Sequence, residues 1–231
     1  MDKNKIVSVA VVVIVVLAVV GFFMFRGDGV AVPLTGSTES VATVNGVAIP
    51  KATYDTQLAS ALASLKTQGV DVENAEKLAQ VKTQVLNDLI SNELVNQGIV
   101  SAGIKATPEE IDTQVKAIVE QAGGEEKYKA ELIKANITEA QLRDNVSKQI
   151  AVQKYLSANI DTSKVTVSSA EISQFYADYS KSQKDAGVKT VPTLKELSDQ
   201  IKQQLTSDKQ QALVNDFLVS LRAKAEVETS I

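Results

Sequence analysis

Residues 6–25 form twenty consecutive uncharged positions, IVSVAVVVIVVLAVVGFFMF, bracketed by Lys5 and Arg26. At ~1.5 Å rise per residue a helix of that length spans about 30 Å, the thickness of a bilayer's hydrocarbon core. The run is rich in β-branched residues, which in water would suit a strand. In lipid every backbone N–H and C=O must be bonded within the segment, so a helix is expected. Ile6, Val13, Val20 and Phe25 are then spaced along a membrane anchor. From residue 27 onward the chain is polar, acidic and helix-patterned, which implies one anchor (1–26) carrying one soluble body.

Lys3, Lys5 and the α-amino group precede the run against Asp2, whereas Arg26 is followed closely by Asp28. The bias is small, and it predicts a single-pass membrane protein with a cytoplasmic N-terminus and an extracytoplasmic body, in a periplasm or cell-wall space. A cleaved signal peptide is the alternative. Its apolar region runs ~7–15 residues before a small-residue cleavage site. The run here is longer, although Gly29-Val30-Ala31 would serve a peptidase, so a retained anchor is expected. With no cysteine, a lipid-modified N-terminus is excluded.

Setting aside Lys3, Lys5, Arg26 and Asp2 leaves 21 basic and 27 acidic residues, a net −6. Phosphate contacts need clustered Lys and Arg, so an acidic body of this kind is a poor nucleic-acid binder. The absence of Cys removes disulfides and thiol chemistry and leaves stability to helix packing. The absence of His removes an imidazole base, the commonest metal ligand and any Ser-His-Asp triad. No cofactor is expected.

Residues 27–40 (GDGVAVPLTGSTES) read as a flexible spacer. In VATVNGVAI (41–49), Asn45-Gly46 between two short alternating runs signals a β-hairpin. Pro50 opens a helix to about Thr67 with Tyr54, Leu58, Leu62 and Leu65 on one stripe, ended by Gly69. A second helix is predicted from about Asn74 to Gln97, with Leu78, Val81, Val85, Leu89 and Ile90 inward and Gly98 at its end. Thr107-Pro108-Glu109-Glu110 is a capping box with Pro at the first helical position, before a helix that stops at Gly123-Gly124. A short helix with Tyr128, Leu132 and Ile133 follows. Thr138-x-x-Gln141 then caps a longer one facing Leu142, Val146, Ile150 and Tyr155 inward, and Ser168-x-x-Glu171 opens the next. After the polar break 180–192, about thirty residues run to Ala225 without Gly or Pro. Leu194, Leu197, Ile201, Leu205, Leu213, Phe217 and Leu221 mark its buried side. Glu226-Val227-Glu228 alternates and suits pairing with the early hairpin. The fold class expected is mainly α, with a small β element formed by the ends of the domain.

The pairs Glu109-Glu110 and Glu125-Glu126 sit in first helical turns, where acids favour the positive end of the dipole, and this accounts for them without catalysis. No Ser-x-x-Lys dyad, Gly-rich phosphate loop or calcium loop is present. An enzyme is not expected. Phe175, Tyr176 and Tyr179 concentrate aromatic surface on one helix. They read either as core or as a part-exposed stripe that takes apolar segments, because Tyr offers apolar area at low entropy cost.

The order of these features resembles the N-terminal chaperone domain of the SurA/PrsA/PpiD group of exported folding factors. The resemblance is carried by Val44-Asn45-Gly46, Ile49-Pro50 and Tyr54, and by VLNDLISNELVNQGIVSAGIKATPEEID (85–112), ITEAQLRDNVSKQIAVQKYL (137–156) and VTVSSAEISQFYADY (165–179). LKELSDQIKQQLTSDKQQALVNDFLVSLRAKAEVE (194–228) resembles the helix and strand that close such domains. The match spans nearly all of 41–228, the expected domain. Many members carry a parvulin prolyl isomerase domain between the Phe-Tyr helix and the last helix. Here only 180–192 occupy that place, too few for any domain.

The resemblance therefore implies an ATP-independent holdase for unfolded or nascent exported polypeptides. Its clients would bind an apolar cradle with Tyr54, Leu58, Phe175, Tyr176, Tyr179 and Phe217 as candidate lining. The competing readings are a membrane-tethered scaffold with one defined partner and, with no residues to support it, a prolyl isomerase.

Overall fold

A computed structural model describes residues 39–231. The expected anchor, with Ile6, Val13, Val20 and Phe25, lies outside the described residues, as does most of the spacer. Among the described residues no helix is long and apolar enough to cross a membrane. These residues fold mainly as helices with one small sheet, in two compact units. One comprises residues 39–155 with Leu218–Ile231, the other Leu156–Phe217.

The first unit begins with β1 (Ser40–Val44) and β2 (Val47–Pro50). Asn45 and Gly46 both adopt positive φ (49° and 80°). That pair of left-handed residues gives the tight turn whose twist matches its flanking strands. The third strand, β3 (Val227–Thr229), adds antiparallel to the other edge of β1, so the sheet order is β2-β1-β3. The alternation in 226–228 had this partner. Asn45 fastens the junction: its backbone N–H donates to Glu226 O (2.8 Å), and its side-chain oxygen accepts from Glu226 N (2.9 Å). Its amide also donates to Gln97 Oε1 (2.7 Å), and Gln97 in turn donates to Val44 O (3.0 Å).

Helices α1 (Lys51–Thr67) and α2 (Ala75–Ser101) follow. Val41, Ala42, Val44 and Ile49 of the sheet and Val85, Leu89, Ile90 and Leu94 of α2 make one core, with Leu221, Ala225 and Val227 packed against it. Helix α2 runs past Gly98, which the sequence placed at its end. The reason is a contact: Gly98 is where the Tyr155 ring lies against the helix, and a Cβ there would sit 2.1 Å from Tyr155 Oη. The true stop is Gly103, with φ of 64°. Gly103 N–H donates to Val100 O and Ile104 N–H to Ile99 O, the paired bonds that close a helix on a left-handed residue.

Helices α3 (Pro108–Ala122), α4 (Glu125–Lys134) and the start of α5 (Glu139–Asn159) enclose a second core of Val115, Tyr128, Leu142 and Val146. Ile133, on the same short helix as Tyr128 and Leu132, is 80 % exposed. Helix α4 is only ten residues long and turns its inner face through Tyr128 and Leu132, which leaves the neighbouring position outside.

The second unit holds a 3₁₀ turn (Thr162–Lys164), α6 (Ser169–Asp185) and α7 (Leu194–Ala223) as far as Phe217. Both helices start at capping boxes. Ser168 and Glu171 cap α6 as the sequence predicts. At α7, Thr193 Oγ1 accepts from Glu196 N (3.4 Å) and Glu196 Oε2 accepts from Thr193 N (2.7 Å). Its sequence signature is Thr193-x-x-Glu196, directly after Pro192.

Candidate functional site

The six candidate lining residues divide between the units. Tyr54 and Leu58, one turn apart on α1, belong to the first. Tyr54 is 5 % exposed, packs in the sheet–α2 core, and its hydroxyl points to Lys82 O at 3.5 Å. Burial also pushes its phenol pKa up. It therefore lines no open surface, and the expectation for this residue is corrected. In this chain it packs α1 on the sheet. Leu58 is half-buried against the same core.

Phe175, Tyr176 and Tyr179 of α6 and Phe217 of α7 belong to the second unit, and all four are half-buried. The spacing of Phe175 and Tyr179 places them on one helical face. Tyr176 is held by a hydrogen bond from its hydroxyl to Pro192 O (3.0 Å), which ties the 186–193 link back to α6.

What distinguishes this unit is how little of its apolar surface is closed. Ile201, at 4 %, is its one fully buried apolar side chain among the described residues. Val165, Val167, Ile172, Leu194, Leu197, Leu205 and Leu213 are half-buried alongside the aromatics. A packed core residue normally touches neighbours on all sides. Here apolar area stays within reach of solvent on both helices.

An open groove of about 450 Å³ lies in the same unit, between the 161–166 stretch and α7. Val165, Ala212 and Leu213 line it with Lys164 and Lys209. No aromatic lines it, and the sequence reading missed it because its walls come from stretches about forty residues apart. Lys209 fixes that wall: its ammonium donates to Thr166 O (2.6 Å) and pairs with Glu171 Oε1 (2.6 Å). The Lys209 ammonium and the Ser168 N–H and hydroxyl hold the Glu171 carboxyl down at about 2.

The acidic pairs in the first unit serve structure. Glu110 closes the α3 capping box and pairs with Lys154 of α5 (2.6 Å), which lowers its pKa. Glu125 pairs with Lys129 on the exposed face of α4 (3.1 Å). Arg143 of α5 binds Asp112 of α3. Among the described residues no three acidic side chains converge as a metal site would require. Tyr128 is 3 % exposed, and its hydroxyl, raised in pKa chiefly by burial, has no hydrogen-bond partner.

Comparison with known proteins matches this architecture. The model of the SurA-like N-terminal domain matches residues 1–156, about two thirds of the chain. The chain belongs to that family. No curated protein matches it. Among solved structures it is similar to a chain from the description of PEB4 and Cj1289, two structurally related SurA-like chaperones of Campylobacter jejuni. The TM-score is 0.55 and the identity 13 %, over 83 % of this chain and 99 % of that one. At that identity the likeness is one of fold.

Proposed function

We propose that this protein is an ATP-independent chaperone of the holdase type, tethered to the cell membrane by residues 6–25 with its body on the extracytoplasmic side. It takes unfolded or nascent exported polypeptides as clients. The observation that carries the reading is the half-closed apolar surface of α6 and α7, with Phe175, Tyr176, Tyr179 and Phe217, in a member of the SurA-like N-terminal domain family. Many shallow apolar contacts give low specificity, which suits clients defined only by being unfolded. Tethering raises local concentration where exported chains emerge and needs no further contacts.

Light scattering of a denatured model protein diluted into buffer tests this. The full chain, held in nanodiscs, is expected to suppress aggregation without nucleotide at a few-fold molar excess. Replacing Phe175 and Tyr179 with Ser is expected to weaken the effect several-fold while the far-UV spectrum is kept. Suppression absent at any excess, with a single stoichiometric partner recovered from membranes, would establish the scaffold reading instead.

A further inference from the structure

The turn of the hairpin carries a reactive pair. Asn45-Gly46 is the one Asn-Gly step in the sequence. Asparagine followed by glycine loses its amide faster than other Asn pairs, because no side chain on the second residue hinders attack by its backbone nitrogen. Asn45 and Gly46 are both exposed, and a Cβ built at Gly46 meets nothing within 4 Å, so solvent reaches the step. Asn136 gives the contrast within the same unit. It too has positive φ (54°) and is exposed, but the β-branched Ile137 follows it.

The amide that would react is held by bonds from distant parts of the chain. Asn45 Oδ1 accepts from the Glu226 N–H (2.9 Å), and Asn45 Nδ2 donates to Gln97 Oε1 (2.7 Å). A backbone donor on one side and an acceptor on the other fix which way the amide points. Ring closure requires the side chain to swing Cγ onto the Gly46 nitrogen, which breaks both bonds. From the ordinary net worth of a hydrogen bond, each slows that step roughly fivefold and the pair roughly thirtyfold. The bond from Glu226 exists only once the end of the chain, 181 positions on, has docked.

We propose that Asn45 is a deamidation site guarded by β3: while β3 is undocked the turn converts to isoaspartate, and the converted chain no longer closes its sheet. The Gly46 N–H gives its proton to hydroxide, and the nitrogen attacks Asn45 Cγ to close a five-membered succinimide. The Cγ–Nδ2 bond breaks as Nδ2 takes a proton from water, and ammonia leaves. Water then opens the ring, mainly to isoaspartate and otherwise to aspartate. Isoaspartate adds one carbon to the backbone of the two-residue turn that joins Val44 to Val47. It also puts a carboxylate where an amide donated to Gln97. Gln97 has no proton to spare for it, since its own amide donates to Val44 O (3.0 Å) and Glu93 Oε1 (2.7 Å). Failure to close thus becomes permanent. The inference is independent of the chaperone reading.

Peptide mapping by mass spectrometry of the full chain, aged at mildly alkaline pH, measures the conversion of Asn45 and separates isoaspartate from aspartate. The native rate is expected to lie roughly thirtyfold below that of the same chain in guanidinium. Gln97→Leu and Glu226→Pro each remove one bond to the amide and are expected to raise the native rate roughly fivefold. Hydrogen exchange across α2 reports whether each variant stays folded; one that unfolds is expected to reach the guanidinium rate. Asn136 is expected to convert far more slowly than Asn45 in guanidinium. The isolated isoaspartate chain is expected to have lost exchange protection in β3. Equal rates in native and unfolded chains, or a variant as slow as the wild type, would overturn the proposal. So would an Asn136 as fast as Asn45, or an isoaspartate chain whose β3 stays protected.

Discussion

Gly98 shows how one residue decides the path of a helix. In an exposed helix interior, Gly→Ala gains about 1 kcal/mol. At Gly98 the added methyl would lie 2.3 Å from Tyr155 Cζ, and Tyr155 is only 7 % exposed, so its ring has nowhere to retreat. Overpacking of this kind costs about 1–3 kcal/mol and outweighs the propensity gain. Gly98→Ala is therefore expected to lower the urea midpoint, and Tyr155→Leu in that background to recover part of it. A single variant as stable as the wild type would refute the contact. Sequence alone reads a Gly near the end of an apolar run as a stop, because nothing local names a partner 57 positions away. Tyr54 failed for the same reason. Its place on an apolar stripe was legible, but not whether that stripe faced the sheet or an open surface.

At the scale of elements, the helix starts were the most legible part of the fold. Thr107, Thr138, Ser168 and their partners three residues on each make the predicted bonds, since a cap is built from residues adjacent in sequence. The contact that gives α6 its fixed position is not local. Lys209 reaches from α7 to Glu171 and to Thr166 O, and no spacing rule announces it. Its consequence is a pH dependence. The Glu171 carboxyl, depressed from 4.5 to about 2, stabilises the unit at pH above its unfolded value, and that contribution fades as pH falls toward 2. Carboxyl resonances followed by NMR are expected to show a Glu171 midpoint near 2 in the wild type. In Lys209→Met, which leaves the Ser168 bonds, the midpoint rises toward the ordinary value, and α6 loses order at a higher pH. An unchanged midpoint would remove Lys209 from the account. The groove belongs to the same class of feature, with walls brought together only by folding.

At the scale of the molecule, the family pattern conveyed the mainly helical build and the small sheet joining distant parts of the chain. It did not convey the contrast between the units. The unit of residues 39–155 with Leu218–Ile231 has two closed cores, whereas Leu156–Phe217 leaves most of its apolar side chains half-open. That difference comes from which faces meet, and periodicity reports only that a face exists. The closing segment is expected to be indispensable to the first unit. Deleting 226–231 removes β3 and the Asn45–Glu226 bonds and opens Val41, Ala42 and Val44, which are now 0 % exposed. Hydrogen exchange on the truncated chain is expected to show protection lost across β1 and β2. Retained protection there would show that the hairpin and α2 suffice.

That same pairing sets an order on synthesis. Strand β1 is made early and is the centre of its sheet, yet the strand on one of its sides arrives more than 180 residues later. Contacts so far apart in the chain form late, because the intervening loop must close first. During its own translation the protein thus carries an apolar strand with one side unpaired, the kind of exposed edge that aggregates. Until its last strand docks, it has the same need for a protective surface that we propose it meets in its clients.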